Sequence, residues 1–160
     1  MSAGNGRPRR LALVASKGTL DAAYPPLILA ATAASLGWEA GIFFTFYGLD
    51  IVHKKKHTRL KVPPLANPAL PIPMPNVIGA LPGMTAAATA MMRRWMKQAS
   101  LPDVPTFLEM ARESGVKLFA CSTTMGVMGV TPDDLVPGAE IAGATAFLDF
   151  AADADVSLFV

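Results

Sequence analysis

Cysteine is nearly missing from this chain: 160 residues hold a single thiol, Cys121. One cysteine excludes an internal disulfide and any thiolate metal cage, and it suits a reducing compartment. Histidine is almost as scarce. His53 and His57 are the only two, and the lysines between them in HKKKHTRLK disfavour a cation, so no metal site is read. Neither histidine is an oriented base for a Ser/His/Asp arrangement. Charge is sparse as well, 16% of residues against a usual share of about 25%, beside 52% hydrophobic residues. Too few solvating side chains are left to cover a monomer, which predicts burial against a partner.

An uninterrupted long apolar helix is also lacking. No Lys, Arg, Asp or Glu occurs from Val62 to Met92, but Pro63, Pro64, Pro68, Pro71, Pro73, Pro75 and Pro82 break the stretch. Spanning a bilayer takes roughly 20 apolar residues in continuous helix, so no ordinary transmembrane segment is expected there. MSAGNGRPRR is followed by only about five apolar residues, too few for a secretory signal. A cytoplasmic location is the expectation, with peripheral membrane contact through the proline-rich arm as the second reading.

What is present is one domain's length of chain with its charges segregated. Residues 1–97 carry 12 Lys/Arg against 3 acids, and residues 98–160 carry 2 against 9. In a compact domain such asymmetry gives two faces that attract each other across a subunit contact, and nucleic acid is not the expected partner. Residues 1–10 read as a flexible basic tail. Residues 11–160 read as a single domain, with a proline-rich insertion at about 53–75.

Along the chain, LALVAS reads as a buried strand. DAAYPPLILAATAASLGWE reads as a helix capped by Asp21 and stopped at Gly37, and AGIFFTF as a second strand, which makes a βαβ unit. NVIGAL has strand character. A helix is expected over about 84–98, and another opens at Asp103 with Pro105 in its first turn and ends at Gly115. VKLFA is a strand that delivers Cys121, Thr131 to Asp134 resembles a capped turn, GATAFLDFAADAD is helical by composition, and VSLFV is a last strand. Alternation of strands and helices implies an α/β fold with a mostly parallel sheet covered on both faces.

Ligands in such sheets bind outside the carboxyl ends of the strands, where Cys121 must lie. If CSTTM turns into a helix, its amides and the hydroxyls of Ser122, Thr123 and Thr124 stabilise a thiolate. The competing reading is a small buried hydrophobe, and spacing alone does not separate the two. Ser16 and Lys17 lie in the SKGTLD loop after the first strand, where Lys17 would bring positive charge to the same edge, and Tyr47 would line the rim. Met84, Met91, Met92, Met96, Met125 and Met128 read as adaptable core or interface. No cofactor site is legible. A thiol peroxidase ranks behind the other readings, since there is no resolving cysteine and no arginine beside Cys121.

ACSTTMGVMGV, preceded by Pro-Gly-Met, by Ala-Thr-Ala-Met-Met and by FTFYGLD, resembles the DsrE/DsrF/DsrH-like family, in the branch whose cysteine precedes a Met-Gly-Val-Met-Gly-type run. The similarity runs from LALVAS to SLFV. It implies a flavodoxin-like three-layer α/β sandwich with a mostly parallel sheet of about five strands, assembled as a homo-oligomer, a trimer or hexamer. It implies also a sulfur-relay role in which Cys121 carries a persulfide received from a rhodanese or a TusA-like sulfur carrier protein. With no second cysteine to resolve it, such a persulfide must leave on another molecule.

Overall fold

Residues 6–63 and 81–160 are described by a computed structural model. Strands β1 (Arg10–Ala15), β2 (Glu39–Phe44), β3 (Lys117–Cys121), β4 (Ala139–Ala142) and β5 (Val156–Phe159) form one sheet in the order β4-β3-β2-β1-β5. Every neighbouring pair is parallel, so all the strands end at one edge. The alternation of side chains along β1 to β3 divides the core in two. Leu11, Leu13, Ile42, Phe44 and Leu118 face helices α1 (Leu20–Ser35) and α3 (Val104–Glu113), and α2 (Met84–Gln98) packs Ala88, Met92 and Met96 against the same body. Ala12, Phe43, Phe119 and Cys121 point the other way, onto Phe147 and Phe150 of α5 (Ala144–Ala152). The expected flavodoxin-like sandwich is thus the fold observed.

Local chemistry accounts for the helix boundaries. Gly37 (φ 76°) follows α1, with the Gly37 N–H donating to Ala34 O and Trp38 N–H to Ala33 O. Gly115 (φ 82°) closes α3 in the same 5→2 and 6→1 pattern, through Arg112 O and Ala111 O. Asp103 caps α3 by accepting the Thr106 N–H at 3.0 Å. The start of α1 differs from expectation: Thr19 is the N-cap and Asp21 sits in the first turn, where a negative charge complements the helix amides without capping them. Pro25 and Pro26 lie inside α1, which continues through them.

The β4 strand was not anticipated. Its four residues AEIA have no β-branched run, and at the sheet edge only Ala142 is buried. The strand character read in NVIGAL falls at residues 76–80 outside the described residues. The stretch beginning at His53 is built into the fold: His53 bridges Leu135, a 3-10 turn spans His57–Arg59, and Leu60 and Val62 are buried. Met125 is buried, Met92, Met96 and Met128 pack on the main core, and Met91 is exposed. Among the described residues no helix is long and apolar enough to cross a membrane.

Candidate functional site

Cys121 is at once the last residue of β3 and the N-cap of α4 (Ser122–Met128), with φ −64° and ψ 111°. The backbone therefore passes from strand to helix with no linker, and the thiol stands at the carboxyl edge. The strand order reverses beside β1, two strands away, so the turn into α4 and not the switch in strand order positions the sulfur.

Two parallel neighbours converge there. Just past the end of β2, Thr45 places Oγ1 3.0 Å from Oγ1 of Thr124, which α4 presents from its first turn. The Phe46 N–H donates to the same Thr124 Oγ1 at 3.2 Å. A hydroxyl has one proton and two acceptor sites, so Thr124 accepts from the Phe46 N–H while either hydroxyl of the Thr45–Thr124 pair donates to the other. Burial is the largest single influence on the thiol and pushes its pKa up. The nearby donors of Thr124 (hydroxyl and N–H), Thr45 (hydroxyl) and Thr123 (N–H) favour the anion and outweigh burial, so the pKa lies below the ordinary thiol value, while the Cys121 side chain makes no capping hydrogen bond to α4.

The Phe46 amide is aimed by an unusual backbone. Phe46 has φ 45°, in the left-handed region that a bulky side chain rarely adopts, and its ring is exposed. The 3-10 helix Phe46–Val52 that follows is clamped by two glycines. A Cβ on Gly48 would lie 2.0 Å from Ala15 O, and one on Gly18 2.2 Å from Tyr47 O. Only glycine allows the two loops to approach so closely.

The residues singled out from sequence have different fates. Ser16 contributes backbone, its carbonyl accepting the Gly48 N–H at 3.2 Å. Thr123 contributes its amide, while its side chain and that of Ser122 are exposed at the rim. Tyr47 is 68% exposed on the clamped loop. Lys17 is exposed and makes no hydrogen bond or ion pair among the described residues, and the groups that lower the Cys121 pKa are neutral donors. Thr45 and Phe46 escaped the sequence reading. The usable signal was the one polar residue in FFTFY, at the end of a strand parallel to that of Cys121.

Access is narrow. Cys121 is 6% exposed, and its neighbours on the inner side are Ala12, Phe43, Phe119, Ala142, Phe147 and Phe150. A cavity of about 540 Å³ bounded by Tyr24, His57 and Arg93 does not include it. No group of three or more metal-ligating side chains occurs among the described residues.

Residues 7–159 match the sequence profile of the DsrE/DsrF/DrsH-like family. The chain belongs to this family. It is 44% identical over 158 residues to the protein named sulfur carrier protein DsrE2 of Allochromatium vinosum, covering 95% of this chain and 98% of that one. It is 28% identical over 155 residues to the uncharacterized protein YrkE of Bacillus subtilis, covering 95% and 97%. Among solved structures it is similar to the ychN protein of E. coli, with a TM-score of 0.52 at 11% identity over 95% of this chain and 99% of that one, a likeness of fold. The family's sheet therefore frames the Cys121 corner in this chain.

Proposed function

We propose that this DsrE-like protein is a cytoplasmic sulfur carrier that holds sulfane sulfur as a persulfide on Cys121. The observation that carries the reading is the placement of the thiol where β3 turns directly into α4, with Thr45 and Thr124 hydroxyls paired at 3.0 Å at that corner; donors of Thr124, Thr45 and Thr123 lower its pKa despite burial. The name of the Allochromatium vinosum relative supports the same role. The Cys121 thiolate attacks the outer sulfur of a donor persulfide, the donor S–S bond breaks, a Cys121 Sγ–S bond forms, and the donor departs as its thiolate. The reverse exchange with another thiol unloads the protein. A rhodanese or a TusA-like sulfur carrier protein is the proposed donor or acceptor.

Assembly as a homo-oligomer, a trimer or hexamer, belongs to this proposal. It is supported by exposed Phe159, Leu158 and Ile141 on the edge strands and by Leu148 on α5, the one helix on the second face among the described residues. The test is a single-turnover transfer: the chain is loaded with sulfane sulfur, freed of donor and mixed with a TusA-like carrier, and the masses of both are followed. Sulfur leaving Cys121 and appearing on the carrier supports the proposal, and sulfur retained by the loaded chain counts against it.

A second reading is favoured by the 6% exposure of Cys121 and its apolar neighbours. In it the thiol is packing and the protein an oligomeric binding or scaffold component, membrane-associated through the proline-rich arm. It requires partner or membrane binding that survives Cys121→Ala.

A further inference from the structure

On the face of the sheet opposite the thiol, α3 begins at the carboxyl edge beside α2 and the His57–Arg59 turn. These elements enclose the cavity of about 540 Å³, a size that takes small organic ligands. Its charged lining is unequal. Arg93 and Lys97 both border it, and neither has a carboxylate within ion-pair distance among the described residues. Asp103 is the one acid at the rim, and its Oδ1 is engaged in accepting the Thr106 N–H as the cap of α3. Two fixed positive charges against one negative leave a single positive charge to be neutralised. The surrounding sequence offers no remedy, since every Asp and Glu is absent between Asp50 and Asp103.

The cation is also held in place. One terminal nitrogen of Arg93 donates to Thr58 O at 3.0 Å and to Leu60 O at 3.2 Å, which orients the guanidinium and leaves its remaining N–H groups for a ligand. Tyr24 donates its hydroxyl proton to Pro102 O at 3.0 Å and so keeps acceptor capacity only. The rest of the wall is apolar, with Leu20 and Val104 from the core and Met96 from α2.

We infer that this cavity is a second ligand site, separate from Cys121, for an organic monoanion: a carboxylate head set on Arg93 and Lys97, with an apolar body lying along Leu20, Met96 and Val104. The inference does not depend on persulfide chemistry.

Calorimetric titration of the full chain with octanoate and with octanamide tests it, because the two probes share a body and differ in charge. Saturable octanoate binding is expected, about tenfold or more tighter than octanamide, as befits hydrogen bonds to a charged head. Arg93→Gln or Lys97→Gln should remove most of that preference, and Cys121→Ser should leave it intact. Among the described residues the Lys97 side chain makes no hydrogen bond, so its variant keeps the test valid should Arg93→Gln loosen the turn at Thr58. Absence of saturable octanoate binding, equal affinity for both probes, a preference that survives both charge variants, or its loss in Cys121→Ser would overturn the inference.

Discussion

Thr45 Oγ1 and Thr124 Oγ1 stand 3.0 Å apart where the end of β2 meets the first turn of α4, 79 residues apart in sequence, and both act on the sulfur of Cys121. Two hydroxyls contributed by adjacent elements replace the charged partner that a reactive thiol often has. Because neither donor is charged, their influence depends on geometry and little on salt.

The rate of Cys121 alkylation should therefore rise with pH through a midpoint below that of an ordinary thiol. Thr45→Val and Thr124→Val should each move that midpoint upward. Thr124→Val should also destabilise the fold by about 1–3 kcal/mol, since it strips the Phe46 N–H of its acceptor. A pH-rate profile of each variant, paired with denaturant unfolding, checks both statements.

The same shift has a signature in stability. A folded-state pKa lowered below the unfolded value contributes nothing while the thiol is protonated in both states. Its contribution grows as pH rises through the folded pKa, is fully present above the unfolded value, and is lost again as pH falls. The unfolding free energy of the wild type should accordingly gain on that of Cys121→Ser as pH is raised toward about 8.5, then level off. Parallel curves at all pH values would mean that the thiol is not stabilised as an anion.

Access should discriminate by size. With Cys121 only 6% exposed, a small reagent such as iodoacetamide or inorganic polysulfide should react readily in the folded state, and a bulky maleimide should not. Partial unfolding should abolish the difference. Competing the two reagents on the native protein and reading intact masses gives the result.

Glycine substitutions should separate the clamp from the helix beside it. Gly48→Ala forces a Cβ to within 2.0 Å of the Ala15 carbonyl, a backbone atom that cannot swing away, so it should destabilise the protein and disturb Cys121 reactivity together. At Gly126, inside α4, nothing lies within 4 Å of the added carbon, and Gly126→Ala should be neutral or stabilising by about 0.5–1 kcal/mol. Thermal melts of the two variants are the comparison.

Much of this arrangement was legible in the sequence because short-range rules govern it. Gly37 and Gly115 mark helix ends through a left-handed backbone, Asp103 marks a helix start, and VKLFA running into CSTTM places the thiol at a strand end. The donors were less legible, because Thr45 reaches Thr124 through the pairing of β2 with β3, a register that periodicity does not encode. Strand β4 was missed because AEIA takes its conformation from pairing with β3 and shows little preference of its own.

The most direct test of the account is the intact mass of the wild type and of Cys121→Ser after exposure to polysulfide at neutral pH, with the donor removed. One added sulfur is expected on the wild type, released by a thiol reductant, and none on the serine variant. An unmodified wild type, or equal addition to both proteins, would contradict it.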